Sequence, residues 1–244
     1  MLSPFGFHNQ PPLEDHMHTQ VISGNRGAWI FEKEHHAVTV FVPSESPTKE
    51  ECSQLADHIS GQTAIPFRLV LFPISSWDRD LTPWPAAPVF KNQHLDGLAS
   101  QTLSQLMNEY VPAYSDAANL IAGYSLAGLF SLWAMTQTQV FQGAASCSGS
   151  LWYPGFTDYM RSAQLPASSL VYLSLGDLEE KTRHPVLRTI GQETRGMSEL
   201  LSARSDVLWT TLEMNPGNHF AEPDHRLARG IACLIEHLPL LQKT

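Results

Sequence analysis

Three consecutive readings within residues 119–135 decide the fold. Asn119-Leu-Ile-Ala122 is an apolar strand, Gly123-Tyr124-Ser125-Leu126-Ala127-Gly128 is a sharp turn, and Leu126–Met135 is the helix that follows. A serine on such a strand-to-helix turn is forced into a strained backbone conformation, so small residues are required at two positions where side chains would collide. Gly123 and Ala127 stand there. The geometry lifts the Ser125 hydroxyl clear of the sheet. The helix starting behind it aims free backbone N–H groups and a positive dipole end at any anion that forms. Leu126 N–H is the natural first donor of an oxyanion hole. The common form of the turn is Gly-x-Ser-x-Gly, whereas this chain has Ala127 at the last position and Gly128 one residue later. Such a string also arises by chance, and the strand before it and helix after it give this one its weight.

Outward from the turn, strand-like and helix-like segments alternate. Phe67–Phe72, Gly143–Ser148, Ser169–Leu175 and Asp206–Leu212 read as strands. Helical patterns fall near 98–112, at 126–136, within 185–203 and from about Asp224 to Leu238. Thr48 followed by Glu51 is a capping-box start for a helix running to about Ser60. Trp29-Ile-Phe31 and Val38–Val42, closed by Pro43 and separated by the polar break Glu32–His36, look like an antiparallel strand pair. Residues 1–18 carry little periodicity and read as an irregular arm, with residues 19–244 as one α/β domain. Continuous apolar strands divided by amphipathic helices mark a mostly parallel sheet covered on both faces, which keeps its chemistry in the loops at the strands' carboxyl ends.

Composition bounds the function. The chain has 244 residues, 43% of them hydrophobic and 16% charged, enough to bury a core without disulfides. Asp+Glu 24 against Lys+Arg 15 gives a net charge of -9, which opposes nucleic acid and anionic membrane partners. Cys52, Cys147 and Cys233 form no C-x-x-C pair and suit a reducing compartment. No basic start with an apolar run and no eighteen-residue apolar stretch occurs, so the expected location is cytoplasmic, without a membrane span. Nucleotide-binding glycine motifs are missing, and His16, His18, His35 and His36 lack companions at zinc-site spacing. The expectation is therefore no cofactor, no metal and a small-molecule substrate, with homo-oligomerisation left open.

The string Ile121-Ala-Gly-Tyr-Ser-Leu-Ala-Gly-Leu129 resembles the nucleophile turn of the esterase D / enterochelin-esterase-like branch of the α/β-hydrolases, where Ala or Gly is at home at the position of Ala127. The resemblance takes in roughly residues 30 to 240. It implies the α/β-hydrolase fold and a nucleophile, acid, base order along the chain. A serine hydroxyl needs a histidine to take its proton and a carboxylate to orient that histidine. Most of the eleven histidines precede the sheet's core or lie on predicted helices. His219, in the turn Asn215-Pro-Gly-Asn-His219-Phe220, occupies the loop where such a fold carries its base. From position alone it also reads as a cap of the last helix; Ser125 upstream changes the balance, and His225 is the runner-up. The strand Leu170–Gly176 opens into Asp177, Glu179 and Glu180. In the resembled family the acid commonly sits three residues after the glycine ending this strand, which maps to Glu179, with Asp177 as the alternative. Glu180 reads as a surface partner of Lys181 or Arg183.

Ile74 or Ser75 N–H is the expected second oxyanion donor, since there the strand Phe67–Phe72 has ended and the chain must turn. The loop that follows carries Trp77, Trp84 and several prolines; it reads either as a rigid wall of an acyl or aromatic-ester pocket or as satellite core. Tyr124, Trp152 and Tyr153 complete the expected substrate-binding set. Gly149–Ser168 is too short for a helical lid domain, so an open, shallow site is expected. Together these readings point to a serine esterase working through an acyl-enzyme. The alternatives are a siderophore esterase cleaving a catecholate trilactone, a non-catalytic binding protein on a hydrolase frame, and acyl transfer to an alcohol.

Overall fold

The computed structural model describes residues 22–23, 27–33, 35–36, 38–114 and 118–239. The predicted arm, 1–18, lies outside them. In chain order the elements are β1 (Ile22–Ser23), β2 (Trp29–Glu32), β3 (Val38–Glu45), α1 (Lys49–Ser60), β4 (Phe67–Ile74) and α2 (Trp77–Asp80). There follow α3 (Ala99–Gln105), α4 (Val111–Tyr114), β5 (Ala118–Tyr124), α5 (Leu126–Met135), β6 (Gly143–Cys147) and α6 (Phe156–Ser162). The chain continues with β7 (Ser169–Gly176), α7 (Ile190–Ser202), β8 (Val207–Asn215) and α8 (Pro223–His237).

The eight strands form one sheet in the order β1-β2-β4-β3-β5-β6-β7-β8. From β4 to β8 every neighbouring pair is parallel, while β2 runs antiparallel to both β1 and β4. The antiparallel pairing expected near the N-terminus is present, but Trp29–Phe31 makes it with β1 and β4 rather than with Val38–Val42. β3 is buried at seven of its eight positions and so needs a neighbour on each edge, which β4 and β5 provide. β2 pairs instead with β4, where Glu32 meets the Arg68 guanidinium at 2.7 Å and the Phe31 and Phe67 rings lie 5.4 Å apart.

Alternate residues of each strand feed two cores, as the pleat requires. Val38, Val40 and Val42 face α1 and α8, in a layer that also holds Cys52 of α1, Cys147 of β6 and Ile231 of α8. Phe41, Ile121 and Val171 face the opposite layer, built with Leu103, Leu129, Phe130 and Met197 from α3, α5 and α7. Thr48 and Glu51 form the expected capping box at the start of α1. No helix among the described residues is long and apolar enough to cross a membrane.

Strand order fixes where a site can form. The chain leaves β3 for β4 on one side and then returns to place β5 on the other, so successive connections depart to opposite faces. A crevice opens at the carboxyl ends of β3 and β5. Ser125 is the first residue beyond β5.

Candidate active site

Ser125 adopts φ 57° and ψ -122°, a conformation that side chains rarely take. The surroundings enforce it. Its N–H donates to the Cys147 carbonyl at 3.0 Å, and its own carbonyl accepts from Gly128 at 3.0 Å and Ser150 at 3.0 Å. A Cβ at Gly123 would lie 2.3 Å from the Ala127 carbonyl carbon and 2.5 Å from the Ala127 methyl, so Ala127 fits because Gly123 has no side chain. A Cβ at Gly128 would lie 2.9 Å from Ser146 Oγ, which explains a glycine one residue beyond the common position.

The structure brings Ser125, His219 and Glu179 into one chain of hydrogen bonds. Ser125 Oγ lies 3.1 Å from His219 Nε2, and His219 Nδ1 lies 2.8 Å from Glu179 Oε2. That arrangement suits the tautomer in which Nδ1–H donates to the carboxylate and Nε2 accepts the serine proton. The other carboxylate oxygen, Oε1, accepts from Ser148 Oγ and Gly176 N–H, each at 2.7 Å. It also lies 3.3 Å from Nη1 of the buried Arg226. Burial of Glu179 pushes its carboxyl up, but the hydrogen bonds from His219, Ser148 and Gly176 outweigh it and hold the group below the usual carboxylate range.

The sign for stability follows from that direction. A carboxyl with a folded value below its unfolded one contributes stability above the unfolded value, about 4, and loses it as pH falls through the folded one. The midpoint of thermal unfolding is therefore expected to drop on acidification below about pH 4. The Glu179→Gln protein should show a shallower acid slope together with a lower midpoint at neutral pH, because Arg226 is left buried without its counter-ion. A scan of melting temperature from pH 3 to 8 checks both.

The alternative acid, Asp177, is exposed and accepts the Gly217 N–H at 2.8 Å, bracing the histidine loop from outside. Glu180 pairs with Arg195 at 2.7 Å rather than with Lys181 or Arg183. The runner-up base, His225, is exposed on α8 and stacks on His58 with ring centroids 4.1 Å apart.

A cavity of about 790 Å³ opens above Ser125, and Leu126 at the start of α5 lines it. Its walls come from the loops after β4, β6 and β7 and from the histidine loop. Neither Ile74 nor Ser75 is on the lining, and Ser75 N–H is already given to Asp80 Oδ2 at 2.8 Å. The loop after β4 meets the cavity through Trp77 and Asp78.

The aromatic candidates divide. Trp77 and Trp152 line the cavity. Trp84 donates its indole N–H to the Pro154 carbonyl at 3.0 Å and packs edge-on against Tyr153 and Tyr159, so it is satellite core. Tyr153 is 2% exposed and belongs to the same cluster. Tyr124 is not on the lining; its hydroxyl donates to the His219 carbonyl at 2.7 Å and accepts from Arg226. The region 149–168 holds only the short α6 and no lid. Phe90, beyond β4, comes close to His184, beyond β7, with ring centroids 6.0 Å apart.

Several residues at the site escaped the sequence reading. Ser148 and Ser150 follow β6 at its carboxyl end, a position that could have flagged them, and Ser150 Oγ lies 3.4 Å from the Ser125 oxygen. Arg226 sits in a regular helix with no local signal that it points inward. Phe90, Leu178 and Phe220 line the cavity although 53%, 44% and 84% exposed.

No family model matches the chain, and no curated protein matches its sequence. Solved structures do match in shape. The siderophore hydrolase EstA from Aspergillus nidulans superposes with a TM-score of 0.66 at 18% identity, covering 97% of this chain and 98% of its own. The siderophore hydrolase EstB from Aspergillus nidulans gives 0.65 at 16% identity, covering 91% of this chain and 95% of its own. An IroE-like serine hydrolase from Shewanella oneidensis gives 0.68 at 15% identity, covering 89% of this chain and 79% of its own. At these identities the likeness is one of architecture, and it agrees with the strand order: the chain has the α/β-hydrolase fold.

Proposed function

We propose that this protein is a serine hydrolase that cleaves carboxylic esters through an acyl-enzyme. The observation that carries the reading is Ser125, held at positive φ on the floor of the cavity with its oxygen 3.1 Å from His219 Nε2. Ser125 Oγ attacks the ester carbonyl carbon while His219 takes its proton, and Glu179 stabilises the imidazolium that forms. Leu126 N–H, at the amino end of α5, holds the negative oxygen of the tetrahedral intermediate. Collapse breaks the bond to the alkoxy group, which leaves with the proton from His219. Water then attacks the acyl-serine with the same base, releasing the acid and restoring Ser125.

A second reading narrows the substrate to a siderophore ester. It is favoured by the solved structures named for such substrates and by Lys91 and Lys181 on the cavity lining, which would meet anionic catecholates. The net charge of -9 works against it, since any attraction would have to be local. A fluorophosphonate probe separates the hydrolase from a non-catalytic scaffold. One adduct on Ser125 in the native protein, lost in Ser125→Ala, is the expected mass-spectrometric result. No labelling of the folded protein, or undiminished p-nitrophenyl ester hydrolysis in Ser125→Ala, sinks the proposal.

A further inference from the structure

We infer that Arg226 is a positioning residue for this hydrolysis: from the side of Glu179 opposite His219 it fixes which carboxylate oxygen faces the histidine and offsets the carboxylate's charge. The inference rests on the esterase reading above.

Arg226 and Glu179 each leave only 4% of their side chains exposed. A guanidinium buried to that degree needs partners on all sides, and here they come from every part of the site. Nη1 lies 3.3 Å from Glu179 Oε1, 3.2 Å from the Tyr124 hydroxyl and 3.4 Å from Ser148 Oγ. Nη2 donates to the Pro216 carbonyl at 2.8 Å. Both hydroxyls spend their own protons elsewhere, Ser148 on Glu179 Oε1 and Tyr124 on the His219 carbonyl, so toward Arg226 they are acceptors. One side chain of α8 therefore joins the end of β5, the residue after β6, the acid loop and the histidine loop. Close approach is built in: a Cβ on Gly176 would lie 3.0 Å from Nη1.

With three donors on Oε1, only Oε2 is left for His219. Charge acts in the same arrangement. A carboxylate against an imidazole favours the imidazolium, which cannot accept the serine proton; a guanidinium behind that carboxylate weakens its pull. The hydroxyls of Tyr124 and Ser148 also meet the pair, and the charged side chains of Asp78, Lys91 and Lys181 are on the lining of the same cavity. None of these contacts the acid from behind with a positive charge. If Arg226 only packed, its loss would let Glu179 drift away, weaken the imidazolium and move the acid limb of the kcat/KM profile down in pH. If it offsets charge, its loss strengthens the imidazolium and moves that limb up.

The experiment is a kcat/KM profile from pH 5 to 9 on p-nitrophenyl butyrate for the wild type, Arg226→Met and Arg226→Lys, with melting curves to establish folding. For Arg226→Met the expected result is kcat lower by about 10- to 100-fold, KM within about threefold of wild type, and an acid limb raised by about one pH unit. Arg226→Lys keeps the charge but not the fork. It should leave the limb in place and lose about three- to tenfold in kcat. An acid limb that stays or falls in Arg226→Met overturns the inference, as does a loss carried by KM alone. If Arg226→Met does not fold, the decision passes to Arg226→Lys, where wild-type kcat or a shifted limb overturns it. Failure of the esterase reading looks different, because then the wild type itself neither turns over the ester nor takes the fluorophosphonate.

Discussion

His219→Ala is expected to lower kcat on short p-nitrophenyl esters by roughly 10⁵- to 10⁶-fold, with KM little changed and the melting temperature close to wild type. The size follows from what is lost. Without Nε2 at 3.1 Å the Ser125 hydroxyl must shed its proton to water, and the leaving alkoxide has no acid beside it. Groups of this kind act as a unit, so Ser125→Ala should cost about the same and the double variant little more than either alone, within a factor of roughly ten. His219 is about one-third exposed and its backbone carbonyl, which Tyr124 grips, survives the substitution, so stability should be spared. Steady-state kinetics on the three variants decides the matter. Additive losses, or a His219→Ala enzyme within tenfold of wild type, would show that the base lies elsewhere.

Gly123→Ala is expected to be strongly destabilising for the addition of a single methyl group. The new Cβ would sit 2.3 to 2.5 Å from the carbonyl carbon, carbonyl oxygen and methyl of Ala127. Two of those three atoms are backbone at the start of a helix whose ten residues are all buried, so relief requires α5 or β5 to shift as a whole. Overpacking of this kind costs roughly 3 kcal/mol or more. In a chain of this size that corresponds to a fall in melting temperature of roughly 6–12 °C. Differential scanning calorimetry measures it. Ala127→Gly is the control: it removes one side of the collision and should cost no more than the roughly 1 kcal/mol that glycine carries inside a helix. A Gly123→Ala protein that melts like the wild type would refute the steric account of the turn.

The alternation of segments and the Ser125 turn were legible because each is a local pattern: a period of hydrophobicity, or a small residue where a neighbour's Cβ would fall. What went astray depended on the path of the chain between patterns. The break Glu32–His36 looks like a hairpin turn, but β3 is buried on both faces and must lie inside the sheet, a constraint set by β4 and β5 far along the chain. Asp177, Glu179 and Glu180 are three carboxylates within four positions, and only the turn at Glu179–Lys181 decides which points inward. Trp84 and Trp77 share a loop and a composition, yet one indole finds the Pro154 carbonyl and the other faces the cavity. Arg226 left no trace in the helical pattern, because its partners are contributed by four separate stretches of chain.

The layer between the sheet and helices α1 and α8 has a practical consequence for measuring how often the molecule opens. Cys52 and Cys147 lie wholly within it, and burial pushes each thiol up to about 12, so neither offers a reactive thiolate in the native protein. Cys233 is only half-buried. Alkylation at Cys52 or Cys147 must therefore wait for excursions that separate a helix from the sheet, whereas fraying or loop motion around the catalytic cavity leaves both untouched. Time courses of modification at the two positions, read by peptide mass spectrometry, would report breathing of this layer directly. Equal rates at both would mean that α1 and the end of β6 come apart in one cooperative event.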